Sequence, residues 1–141
     1  MANVIPFAFR GELFSATHDF SSGGDQFKLA LYTANPYTTS STAYDATSEV
    51  SASGTAYTTT GNVLTGNAVA SGTAVASCDF DPSVWSSATF TAAFVAIYND
   101  DKSDKLCVVL DFSGNKTCTN GTFTVTFPSP STPADAIISM A

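Results

Sequence analysis

The chain has 141 residues, 44% hydrophobic and 12% charged, with a formal net charge of −7. That length suits one domain with its own core, residues 1–141, and the charged fraction is about half the usual ~25%. Only Arg10, Lys28, Lys102, Lys105 and Lys116 are basic, and they form no cluster. This argues against a nucleic-acid backbone or an anionic membrane surface as partner.

The first fourteen residues hold Val4, Ile5, Phe7, Phe9, Leu13 and Phe14. Residues 1–20 therefore read as an edge strand of the domain or as an N-terminal arm. An arm with this much apolar surface would need a partner, so these six residues are the candidate interface. The segment lacks a basic region followed by a sustained apolar run, so no secretory signal is expected, and synthesis in the cytosol follows. His18 reads as a turn residue entering a strand at Phe20.

From Gln26 to Thr33 the apolar positions alternate, with Phe27, Leu29 and Leu31 on one face. Residues 34–72 are rich in Ser, Thr, Gly and Ala. There, Thr42 and Asp45 suggest a capped helical turn through Glu49. Short strands are expected at Val63-Leu64 and Ala74-Val75-Ala76. Asp79-Phe80-Asp81-Pro82 reads as a polar turn before Trp85.

Phe90 to Tyr98 is apolar on both faces, as in a central strand or one that meets another subunit. The run Asn99 to Asp104 turns the chain into Leu106–Phe112, whose expected core face is Leu106, Val108, Leu110 and Phe112. Ser113-Gly114-Asn115 should end that strand. Asn120-Gly121 should turn the chain into Thr122–Phe127, closed by Pro128 and Pro130. With a last edge strand at Ala136–Met140, the C-terminal third reads as an antiparallel meander. The expected fold is all-β: an antiparallel β-sandwich, jelly-roll-like or immunoglobulin-like, with long Ser/Thr/Gly-rich loops.

Chemistry finds little support. His18 is the only histidine, and no Gly-x-Ser-x-Gly elbow accompanies the abundant serines. The acidic residues are dispersed in turns, so no carboxylate pair stands out for glycosidic work. Asp100, Asp101 and Asp104 offer hard oxygen ligands, but without the spacing or glycine of a calcium loop. The cysteines Cys78, Cys107 and Cys118 are odd in number and read as free thiols. No catalytic, cofactor-binding or metal residue is therefore assigned.

Several stretches carry a resemblance. They are Gln26 to Thr33, Tyr44 to Val50, Ser53-Gly54-Thr55-Ala56-Tyr57 and Cys78-Asp79-Phe80 with Val84-Trp85. Ala96-Ile97-Tyr98-Asn99 before Lys105–Phe112, Asn120 to Phe123, Phe127-Pro128 through Ile137-Ile138, and Thr17-His18-Asp19-Phe20 complete the set. In pattern and spacing they resemble small virion proteins of tailed bacteriophages. The resemblance implies a structural component rather than an enzyme, most simply a capsid cement or decoration protein on the outer surface of the head. It would bind the lattice of the major capsid protein, as a homo-oligomer such as a trimer. The alternative is a tail, baseplate or fibre-head protein that binds a host surface glycan through an aromatic shelf at Tyr37, Tyr44 or Tyr57.

Overall fold

The computed structural model describes residues 3–72, 74–128 and 136–140. It is all-β and sandwich-like, with two antiparallel sheets. The first has the order β2-β1-β5-β6, from Asn62–Val63, Phe27–Tyr32, Ser83–Asn99 and Lys105–Val125; the second, β3-β4-β7, uses Ala68–Ser71, Ala76–Asp79 and Ile138–Met140. The main core joins them: Phe27, Leu29, Leu31, Val95, Ile97 and Val108 from the first sheet pack with Cys78 and Ile138 from the second.

Strand β5 lies between β1 and β6, and its second half, from Ala92 to Asn99, is buried on both faces. Val95 and Ile97 enter the main core, whereas Ala96 and Tyr98 enter a second cluster with Ala30, Tyr32, Tyr37, Leu106 and Val109. The two-sided apolar pattern of Phe90 to Tyr98 thus has an internal cause.

The C-terminal third is one long bulged hairpin instead of a meander. Residues 105–111 and 116–125 both pair with β5, in line with each other. Ser113-Gly114-Asn115 does not end a strand. Phe94 pairs with Asp111 and Ala92 with Lys116, so Phe112–Asn115 bulge out opposite Ala93, helped by positive φ at Ser113 and Gly114. Asn120-Gly121 is likewise not a hairpin turn: Gly121 pairs with Ala88, and Thr119-Asn120 bulge opposite Thr89, with Asn120 at positive φ.

A smaller bulge near the turn changes faces. Tyr98 pairs with Leu106 but Ile97 with Val108, leaving Cys107 as the extra residue. Leu106 therefore joins the second cluster while Val108 enters the main core, against the simple alternation of the sequence. The Thr122–Phe127 pattern holds: Phe123 is half-buried, Val125 and Phe127 are buried, and Thr122, Thr124 and Thr126 are exposed. Its closing Pro128 is described, and Pro130 lies outside the described residues.

Residues 33–61 run without a helix or an extended strand. The expected helical turn at Thr42–Glu49 is absent. Ala43 instead forms a β-bridge to Lys105, and the Asp45 side chain accepts a bond from the Thr47 N–H at 2.7 Å. This loop is held by hydroxyls. The chain has five tyrosines, and every one lies against it or within it. Tyr32 and Tyr37 donate to the Asp45 carbonyl, and Tyr98 donates to that of Thr60 at 2.6 Å. Glu49 accepts bonds from Tyr44 (2.6 Å), Tyr57 (2.7 Å) and the Thr60 N–H (2.8 Å). Gly61 closes the loop at φ 79°, where a Cβ would sit 1.9 Å from the Leu29 carbonyl oxygen; no other residue fits there.

Candidate functional site

The N-terminal segment is neither an edge strand nor a free arm. After Pro6, residues Phe7–Phe14 form helix α1. Ahead of the helix, Val4 exchanges both backbone bonds with Val109 at 2.8 Å, so the chain caps one part of the β6 edge. The Phe7 N–H donates to the Thr39 carbonyl at 2.9 Å. Positions four apart share a helix face, so Phe9 and Leu13 turn inward together, while Phe7, Arg10 and Phe14 line the outer face.

This geometry divides the six candidate interface residues. Phe9 is fully buried and belongs to the core, Leu13 is half-buried against it, and Val4 packs on the second cluster. Ile5, Phe7 and Phe14 remain exposed, at 38%, 59% and 94%. Large apolar side chains this open are the informative ones.

An apolar groove runs between α1 and the second sheet. Its outer section, about 320 Å³, is lined by Ile5, Phe9, Arg10, Leu13, Phe14 and the β7 residues Ile138, Ser139 and Met140. A smaller section of about 100 Å³ continues past Leu13 and Met140 to Phe20, Val69 and Cys78. Val69 and Met140 are themselves 58% and 57% exposed, which extends the apolar surface of α1 across both edge strands of the second sheet.

Arg10 is placed at the rim. Its guanidinium lies 5.0 Å from the centre of the Phe7 ring and donates through Nη2 to the Ile5 carbonyl at 3.3 Å. The lysines Lys28, Lys102 and Lys105 pair with Asp100, Asp25 and Glu12 respectively. Among the described residues no carboxylate pairs with Arg10.

The groove missed in the sequence has a traceable signal. Phe7, Arg10 and Phe14 stand at helical spacing, and reading them so would have separated them from Phe9 and Leu13. Val69 and Met140 carried no comparable signal, because their place depends on how distant strands pair.

The one histidine sits beneath α1 in a buried polar network. Its side chain is fully buried; Nε2 is 2.9 Å from Glu12 Oε2 and Nδ1 is 3.0 Å from Asn99 Nδ2. Asn99 Nδ2 donates to both His18 Nδ1 and Asp25 Oδ2, so the imidazole keeps its proton on Nε2 and donates to Glu12. Burial works against the charge of Glu12, but hydrogen bonds from Lys105 and His18 outweigh it and hold the carboxyl below its usual range. No substrate can reach an imidazole so enclosed, and the network reads as a clasp for the helix.

The remaining candidates disperse. In the Asp-rich turn, Asp100 pairs with Lys28, the Asp101 carboxylate accepts the Gln26 N–H, and the Asp104 carbonyl accepts the Tyr44 N–H. Among the described residues no three His, Cys, Asp or Glu side chains converge as a metal site. Trp85 is a core residue, stacked on Tyr57 at 6.0 Å. Tyr37 and Tyr57 are buried and Tyr44 is half-buried with its hydroxyl on Glu49, so they present no aromatic shelf. All three cysteines are free.

Comparison of the chain with protein-family models, with curated proteins and with solved structures returned no match. The class established is therefore that of the fold: an all-β, sandwich-like domain of two antiparallel sheets.

Proposed function

We propose that the protein is a structural component of a tailed-phage virion, a cement or decoration protein that binds the major capsid protein lattice and reinforces the head. The observation that carries this reading is the exposed apolar strip of Ile5, Phe7 and Phe14, continued by Met140 and Val69. A domain with a complete core has no internal use for such a strip, and apolar surface of this kind marks contact with other proteins. The pattern resemblance to small virion proteins supports the same reading. The glycan-binding alternative loses support, because the hydroxyls of the tyrosines it would use are engaged in pinning the 33–61 loop.

The test is location and copy number in an electron-microscopy map of the particle. Density on the head in several hundred copies is the expected result; density confined to the tail overturns the reading. A companion variant, Phe7→Ser with Phe14→Ser, should keep its thermal unfolding and lose head occupancy.

A further inference from the structure

We propose that the groove between α1 and β7 takes an apolar peptide segment that carries a carboxylate, supplied by the partner protein and anchored by Arg10. The inference rests on the lattice-binding reading only for the identity of that partner. The chemistry of the segment follows from the groove itself.

Its walls are apolar, from Ile5, Phe9, Leu13, Phe14, Ile138 and Met140, and its volume of about 320 Å³ admits a few large side chains. An occupant must therefore present apolar groups to be held there. The charge at the rim then selects among apolar segments. The protein carries −7 overall, yet the charged group set at this mouth is a cation. Three of the five basic residues are neutralised by the protein's own carboxylates. Among the described residues Arg10 has no such carboxylate, and its contacts with the Ile5 carbonyl and the Phe7 ring position the guanidinium while using one Nη2 N–H and leaving its other donors. A planar fork of N–H donors beside an apolar wall recognises a carboxylate, with the surrounding apolar surface lowering the competition from water.

Phe14 adds to the same fit. At 94% exposure it stands at the groove's edge, able to close over an inserted chain. A basic segment would meet Arg10 as a like charge, and a neutral apolar one would leave the guanidinium without a counter-charge.

The experiment is a backbone-amide NMR titration of the full chain with two synthetic peptides, one alternating leucine with aspartate and the other leucine with lysine. Dodecanoate serves as a non-peptide probe. The expected result is saturable shifts at α1 and residues 138–140 with the aspartate peptide alone. Arg10→Gln should weaken that binding by about tenfold or more, the scale of one charge-assisted pair, while unfolding at the wild-type temperature. Equal response to both peptides, shifts centred elsewhere, or saturation by dodecanoate but not by the aspartate peptide would overturn the inference. If Arg10→Gln still decorates heads at wild-type occupancy, this inference fails while the lattice-binding reading stands.

Discussion

Glu12 and His18 meet beneath α1 with Oε2 2.9 Å from Nε2, and that pair ties the helix to the interior of the domain. Lys105 holds the other carboxylate oxygen, and Asn99 holds the far side of the imidazole. Helix, loop, β5 and β6 are thus joined through four side chains.

Glu12 makes the clasp sensitive to acid. Its side chain is only 14% exposed, and its folded pKa lies below the ordinary 4.5. The stabilisation is therefore complete at neutral pH and is lost as pH falls through the acid range. Glu12→Gln should cost about 1–3 kcal/mol at pH 7. In thermal unfolding at stepped pH, the gap between wild type and variant should narrow below about pH 4.5. A gap that stays constant across the acid range would show that the ionised carboxylate contributes nothing to the clasp.

Tyr57 joins the loop to β1. Its hydroxyl donates to Glu49 and accepts the buried Leu31 N–H at 3.0 Å. Tyr57→Phe leaves that N–H without its acceptor and should cost about 1–3 kcal/mol. Tyr44→Phe removes only a bond to Glu49 and should cost less. Denaturant midpoints of the two variants check the order, which the opposite ranking would refute.

The two faces of α1 should differ sharply. Phe9→Ala empties a fully buried site and should cost about 3–5 kcal/mol, whereas Phe14→Ala should stay within about 0.5 kcal/mol. Deleting residues 1–9 should accordingly damage the fold and not merely remove a docking arm. Circular dichroism melts would detect a truncation that folds normally and so contradict this.

Burial pushes the Cys78 thiol up to about 12, with Asp79 adding to the effect. Burial, then Cys78 and the nearby carboxylates, raises Cys107 well above its usual value as well. An aromatic disulfide reagent at mildly alkaline pH should therefore label these two only as the protein unfolds. Rapid native labelling of all three cysteines would show that the core is open.

Much of the sheet was legible because alternation reports burial directly. Phe27, Leu29 and Leu31 declare β1, and the two-sided Phe90 to Tyr98 declares a central strand. The errors fall where an extra residue changes phase. Cys107 shifts Leu106 to the opposite cluster, and Phe112–Asn115 loop out of a strand that continues beyond them. Glycine and asparagine mark backbone freedom but do not distinguish a bulge from a turn. The helix was obscured because Phe7 and Phe9, two apart, imitate the alternation of a strand, and Gly11 weakens the helical signal. Of the candidate site, Ile5, Phe7 and Phe14 were named from the sequence. Val69, Met140 and the role of Arg10 required the pairing of strands.

The groove is built from opposite ends of the folded sequence, with α1 forming one wall and β7 the other. Contacts so distant along the chain carry the closure entropy of all the intervening residues. A partly folded molecule with its hairpin in place but β7 undocked has no second wall. Arg10 and Phe14 would then sit on a bare helix. Recognition through this groove would therefore require β7 to be docked, so a partner of that kind would favour the complete fold over one that lacks its last strand.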